Sequence, residues 1–434
     1  MDKKIAHGSN SVYIEWLVAF AVSYATTFTV TESFMEIFNP NLRVVLGLFR
    51  NVVIFFLLIY QIQHYGLDIR KKGLLFFIFY SFFILLYITA FPYYKLEDLA
   101  KAPSSVFNFF YRSFQVLIYI LCIQTIVLNF NVTKYLVTSL ITATIPTIYF
   151  MQYIGFETIQ FFKMDKEGDY ISLLSMGYSN AYLIPLTVLF YKKLFSNKLI
   201  SIVFASIVFL ITCTVVFLTG ERGPILWAMV TLFICLFLIA KHSRRYIVIV
   251  GFFVILLLAN IDFVIHSLRS FAPRAAEKIE MTVKEGDTNS RFDMDNKQSS
   301  TYFIGLNQFA SSPLYGSYFR LIANGQFRGH YPHNAFIEVL ITMGLLGFIP
   351  FIYLLSIVWK KVRKLLKGSY TDNQLACVSL FLSEFFLLMT SSTILFDTAF
   401  WCFFVVLCNI DMNIEAKSKN GRLKPVIMNK FNKM

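Results

Sequence analysis

The sequence predicts an all-α polytopic membrane protein with about 12 transmembrane helices and one large extracytoplasmic loop. Three observations carry that assignment. The 434-residue chain is 57% hydrophobic and only 15% charged, with a mean hydropathy of +0.63, outside the range of soluble domains. Its apolar residues fall into about a dozen continuous runs near the roughly 20 residues a bilayer-spanning helix needs. Short alternating segments, the mark of a β-barrel, do not occur. Finally, Lys and Arg collect in every second loop, which is the topology signal of a multi-pass protein.

The expected spans cover residues 12–31, 44–62, 73–91, 106–129, 132–152, 170–190, 198–219, 224–240, 246–267, 334–358, 374–391 and 396–412. The first run lacks a convincing small-residue cleavage site and is long enough to be retained as a span. With Lys3 and Lys4 on the cytoplasmic side, the alternate loops carry Arg70, Lys71 and Lys72, then Lys134, then Lys192, Lys193 and Lys198. The series continues with Lys241, Arg244 and Arg245, then Lys360, Lys361, Arg363, Lys364 and Lys367, and closes in a Lys-rich tail. No loop breaks the alternation, so both termini are expected in the cytoplasm and the long loop outside. The expected organisation is an N-terminal transmembrane bundle of about nine spans over 1–267, an extracytoplasmic loop over 268–333, about three further spans over 334–412, and a basic cytoplasmic tail over 413–434. Within the loop, Arg274 to Lys284 has the pattern of a short surface helix. No internal repeat of the kind found in many transporters is apparent.

The net charge of +14 belongs to this topology signal, so nucleic acid is not an expected partner. All six cysteines, Cys122, Cys213, Cys235, Cys377, Cys402 and Cys408, lie in apolar runs without a CxxC pair. They read as buried thiols, with neither a zinc site nor a disulfide framework.

Charged groups inside a bilayer are costly and ask for a reason. Arg50 and Arg112 fall within expected spans, each shallow on the outer side, where both could face one outer-leaflet cavity. A snorkelling or helix-pairing role is the competing account. Glu15 and Glu384 fit structural roles; Glu338 also sits in an apolar run. Arg222 differs, because it occupies the turn Thr219-Gly220-Glu221-Arg222-Gly223-Pro224 that opens the next helix. Flanking glycines let backbone approach a ligand, and a guanidinium beside a helix N-terminus suits a phosphate. In the long loop Arg291 stands out within Asn289-Ser290-Arg291. At its end, His330-Tyr331-Pro332-His333-Asn334 leads into an apolar run holding Gly344-Leu345-Leu346-Gly347. His333 there combines a titratable imidazole at a membrane edge with a preceding Pro332 that restrains the backbone. The two glycines at i and i+3 permit close helix packing.

The order of these features, an Arg222-Gly223 turn, two spans, a large outer loop with Asn289-Ser290-Arg291 and Ser312-Pro313-Leu314-Tyr315-Gly316, then His333-Asn334 and Gly344/Gly347, resembles the O-antigen polymerase and O-antigen ligase superfamily. The resemblance covers roughly Val215 to Leu355. One departure is Ser317, where the family's proline-leucine-glycine turn often continues with a second glycine.

The resemblance implies a GT-C-like fold and transfer of a glycan from an undecaprenyl-diphosphate carrier on the outer face of a bacterial inner (plasma) membrane. The donor already carries its leaving group, so the enzyme must neutralise charge developing on the diphosphate and activate an acceptor hydroxyl. The implied roles are His333 as general base or acceptor-orienting group, with Arg222 and Arg291 on the diphosphate. Asn334 holds the imidazole or a sugar, and Arg50, Arg112 and His330 are further substrate-binding candidates. Direct displacement would invert the anomeric centre. No cofactor is expected; nor is a metal, Asp293-Met294-Asp295 being the nearest approach to a DxD pair. The expected partners are the lipid-linked donor, a glycan or lipid acceptor, the bilayer and other polysaccharide assembly proteins. A polymerase of lipid-linked repeat units is the leading expectation. A ligase acting on lipid A–core or protein would use the same residues. A flippase or transporter would instead place charge near the bilayer midplane and break helices in related halves.

Overall fold

The computed structural model describes residues 10–66, 114–154, 173–219, 222–239, 261–271, 276, 277, 280, 334–367, 372–389, 394 and 397–409. Among these residues all regular structure is helical. The expected span 73–91, the expected tail 413–434 and most of 246–267 and of the loop 268–333 lie outside the described residues, as do Arg112, Arg291, His330 and His333.

The helices are α1 (Asn10–Phe38), α2 (Pro40–His64), α3 (Ile123–Asn129), α4 (Val132–Ser139), α5 (Ile145–Ile154), α6 (Leu173–Ala181) and α7 (Leu183–Phe190). They continue with α8 (Lys198–Leu218), α9 (Arg222–Ile239), α10 (Ile261–Phe271), α11 (Ala335–Lys367), α12 (Asp372–Leu388) and α13 (Thr398–Asn409). Asparagine starts several of them, because its short side chain satisfies amides that the first turn leaves unpaired. Asn39 Oδ1 accepts from Asn41 N at 2.8 Å, Asn131 Oδ1 from Thr133 N at 3.0 Å, and Asn197 Oδ1 from Leu199 N at 2.9 Å.

By length and composition, Val44–His64, Lys198–Leu218 and Gly344–Lys364 can each cross a membrane; Val12–Thr27, Gly223–Phe237 and Thr398–Cys408 are shorter apolar helices. The faces agree with this. On α8, Leu199, Val203, Ile207 and Leu210 are exposed at helical spacing, while Ala205, Val208 and Thr212 turn inward. The centre of the bundle is α13, buried along its whole length from Ala399 to Cys408. Its neighbour α12 is buried nearly as completely. The described cysteines are free, and all but Cys213 are fully buried.

Prolines interrupt the inner helices. Pro146 cannot donate to the Thr142 carbonyl, and the chain widens there into a π segment, Leu140–Thr144. The Thr31 hydroxyl donates to that carbonyl instead, at 2.6 Å. Ser23 and Thr27 lie within hydrogen-bond distance of Thr142 Oγ1, each at 2.9 Å. Likewise Pro185 cannot donate to Ala181, and Tyr182 separates α6 from α7.

The largest departure from expectation is in α11. The span expected at 334–358 is broken at Gly344, whose φ of 61° and ψ of −162° lie in a region essentially reserved for glycine. A first leg, 335–343, therefore precedes the stretch long and apolar enough to cross a membrane, which begins at Gly344 and extends to Lys364. Glu338 fastens that leg: its buried Oε2 accepts the Ile394 amide at 3.1 Å, in the turn between α12 and α13. The glycine is needed for its backbone, which the packing rationale for a GxxG pair does not capture. Gly344→Ala is expected to cost about 1–3 kcal/mol, read as a lower thermal unfolding temperature in detergent. An unchanged temperature would contradict this role for the glycine.

Candidate functional site

Side-chain contacts gather the basic ends of the helices. Thr133 at the start of α4 donates to Leu194 O just after α7, at 2.8 Å. Lys193 pairs with Asp372 at the start of α12, at 2.7 Å. Lys361 near the end of α11 donates to Cys408 O near the end of α13. Lys134 pairs with Glu15 at 3.0 Å, and Asn131 donates to the same carboxylate, so Glu15 has the structural role its position suggested. The loops that carry Lys134, Lys193 and Lys361 thus share one end of the bundle.

Arg222 and Asn334 start helices that meet at the opposite end. Arg222 is the first residue of α9, with Pro224 in its first turn, where a missing amide costs nothing. Asn334 precedes α11, and its Oδ1 accepts from Phe336 N and Ile337 N at 3.0 and 3.3 Å. The last turn of α12 lies between them. Trp227 of α9 stacks on Phe386 at 4.7 Å and 5°. The neighbouring Phe385 packs edge-on against Phe336 of α11 at 5.9 Å and 79°. An aromatic bridge from Trp227 to Phe336 therefore fixes the two helix N-termini side by side. Each carries the partial positive charge of a helix start, which favours an anion, although Asn334 already takes up the Phe336 and Ile337 amides of α11. Capping occupies the Asn334 oxygen, so contact with an imidazole or sugar falls to its amide nitrogen.

Arg50 lies elsewhere and already has partners. It is 5% exposed, 3.6 Å from Glu32, with its guanidinium 4.9 Å above the Tyr24 ring. Tyr24 Oη donates to Glu32 at 2.9 Å. A buried arginine is thus paired inside the bundle with groups of α1. Glu384, also buried, accepts from Tyr182 Oη at 3.1 Å, in keeping with a structural role. At the start of the long loop, Arg269 pairs with Glu280, and Ala276, Glu277 and Glu280 are helical where a surface helix was expected.

The role expected of Gly223 needs correction. The space that its missing Cβ opens is taken by the phenol of Tyr178 on α6 rather than left open to a ligand. Sequence reasoning passed over Tyr178, since one tyrosine among 24 carries no signal of its own.

The feature order around Arg222 and His333 has an independent counterpart among known families. Residues 207–352 match the family described as O-Antigen ligase. The resemblance to the O-antigen ligase and polymerase superfamily is thereby supported. No curated protein matches the chain. The matched segment runs from the middle of α8 to just past Pro350 in α11. It encloses Arg222, Arg291, His330, His333, Asn334, Gly344 and Gly347, and it leaves out Arg50 and Arg112.

Proposed function

We propose that the protein is a surface-polysaccharide polymerase of the inner (plasma) membrane, transferring an undecaprenyl-diphosphate-linked oligosaccharide to an acceptor glycan on the extracytoplasmic face. The match of residues 207–352 to the O-Antigen ligase family carries this proposal. Two interrupted helices, at Tyr182 and Gly344, are a feature a transporter would share, but the second break lies inside the matched segment.

In the proposed arrangement, a GT-C-like bundle of about 12 spans has both termini in the cytoplasm. The end bearing Arg222 and Asn334 then faces outward. Arg222 and Arg291 bind the donor diphosphate, assisted by the N-terminus of α9. His333 removes the proton from the acceptor hydroxyl as its oxygen attacks the anomeric carbon. The bond from that carbon to the diphosphate breaks on the opposite face, inverting the configuration. The electron pair leaves on the diphosphate, where the arginines hold the new charge. No metal takes part, because guanidinium groups supply the positive charge. His330 and the Asn334 amide bind sugar; Arg50 and Arg112 support the outer-leaflet substrate path. A ligase would run the same steps with lipid A–core or protein as acceptor, and the family description itself names a ligase.

The test is a transfer assay with purified protein in vesicles containing an undecaprenyl-diphosphate-linked repeat unit. Elongated lipid-linked chains of inverted anomeric configuration, formed equally well with a chelator present, are the expected product. Absence of elongation, with transfer only when lipid A–core is added, would replace the polymerase by a ligase.

A further inference from the structure

The turn that carries Arg222 is keyed to α6 by two missing side chains. A Cβ on Gly177 would fall 2.7 Å from Cγ of Pro224 and 3.1 Å from Oγ1 of Thr219. A Cβ on Gly223 would collide with the phenol oxygen of Tyr178. Adjacent residues of α6 thus hold both sides of the α9 start: Gly177 lies against the Pro224 ring and Tyr178 against the Gly223 backbone. Tyr178 is only 6% exposed, so its ring has little room to swing aside. Pro224 locks its own backbone angle and cannot absorb a shift either. Below this joint, α6 is tied down through Asn180. Its amide nitrogen donates to Met176 O at 2.9 Å and to Thr147 Oγ1 at 3.0 Å, and its oxygen accepts from Thr144 at 2.8 Å. The support is therefore rigid down to α5 and the π segment. Arg222 immediately precedes Gly223 on the backbone so held.

We propose that Tyr178 is a positioning residue for the transfer reaction, setting where α9 begins and hence where Arg222 is delivered. This rests on the role of Arg222 given above. A guanidinium that must meet charge developing on a diphosphate depends steeply on placement, and a displacement on the order of 1 Å can cost about a hundredfold in rate. Tyr178 touches no reacting atom in this scheme; it acts through the Gly223 backbone.

The test is a rescue experiment in the vesicle assay, with Arg222→Ala run alongside. Gly223→Ala is expected to lower kcat about a hundredfold while the protein still purifies folded. Tyr178→Phe keeps the ring and removes the oxygen that the new methyl would strike, leaving Cζ at 3.1 Å, a tight contact that a small shift of the ring relieves. The Gly223→Ala/Tyr178→Phe double variant should therefore recover a substantial part of the lost kcat, at least about tenfold, a non-additivity expected of residues in contact. An inactive Arg222→Ala with no recovery in the double variant would overturn the positioning role and leave the function intact. Normal transfer by Arg222→Ala would overturn the role of Arg222, and the positioning role with it. Should Gly223→Ala not fold, Tyr178→Ala replaces it. Its void frees the turn, so kcat should fall at least about tenfold, with Tyr178→Phe retaining the greater part; equal kcat for Tyr178→Ala and wild type would overturn the proposal. A tyrosine that only filled space would lower thermal stability in these variants without separating kcat from KM.

Discussion

His333→Ala abolishes measurable glycan transfer while leaving the folded protein unchanged: that is the largest effect expected from a single substitution. A positioned general base contributes roughly 10²–10⁴-fold, and at this position the base would also orient the acceptor. The fold gives a reason to expect little structural cost. The helix that follows is started by Asn334, whose oxygen takes up the Phe336 and Ile337 amides, and its leg is fastened by Glu338 to Ile394. Neither contact uses the His333 side chain. The measurement is kcat in the vesicle assay, paired with thermal unfolding of the same preparation. Normal transfer by this variant would remove His333 from the chemistry.

Arg222→Ala is expected to lower kcat by about 10²–10³-fold, the range found when one preorganised donor to developing charge is removed. Arg222→Lys should restore only part of this. An ammonium supplies the charge but not the planar, bidentate donor pair that matches a phosphate oxygen edge. The substitution falls at the first residue of α9, where the helix is held by Pro224 against Gly177 and by Gly223 against Tyr178. Stability should therefore change little. A loss confined to donor KM, with kcat intact, would reassign Arg222 from charge stabilisation in the transition state to ground-state binding.

The parts of this architecture that depend on composition and charge were legible in the sequence. Apolar runs marked the helices, and the Lys-bearing loops that share an end in sequence also share one in space, as Lys193–Asp372 and Lys361–Cys408 show. The Arg222 turn was legible because Gly220, Gly223 and Pro224 punctuate it, and α9 does begin there. What escaped notice depends on pairing across the bundle. The partner of Arg50 was not legible, because Glu32 lies on the preceding helix and only packing brings them to 3.6 Å. Gly344 was recognised as one of a pair of small residues, yet its function is a backbone angle, and φ is not written in a spacing. The expected spans 132–152 and 170–190 run unbroken through Pro146 and Pro185, although each proline removes a donor from the carbonyl four residues back and the helix is interrupted beside it.

The aromatic bridge from Trp227 through Phe386 and Phe385 to Phe336 links α9 to α11 through the last turn of α12. Under the proposed function, this link is what lets the helix that begins at Arg222 and the one that follows His333 serve one reaction. The two α-helix starts are joined by the end of a third helix that is itself buried against α13. Rigid support of this kind is what a reaction dependent on preorganised charge requires.

The most direct measurement is the surface glycan of a strain lacking the protein, resolved by gel beside strains expressing wild type or His333→Ala. A polymerase predicts a single repeat unit on the terminal acceptor in both the deletion and His333→Ala strains, with long chains restored by wild type alone. Bare acceptor with long chains accumulating on the lipid carrier would identify a ligase instead. Repeat units trapped on the cytoplasmic face would contradict glycan transfer altogether and make the protein a transporter.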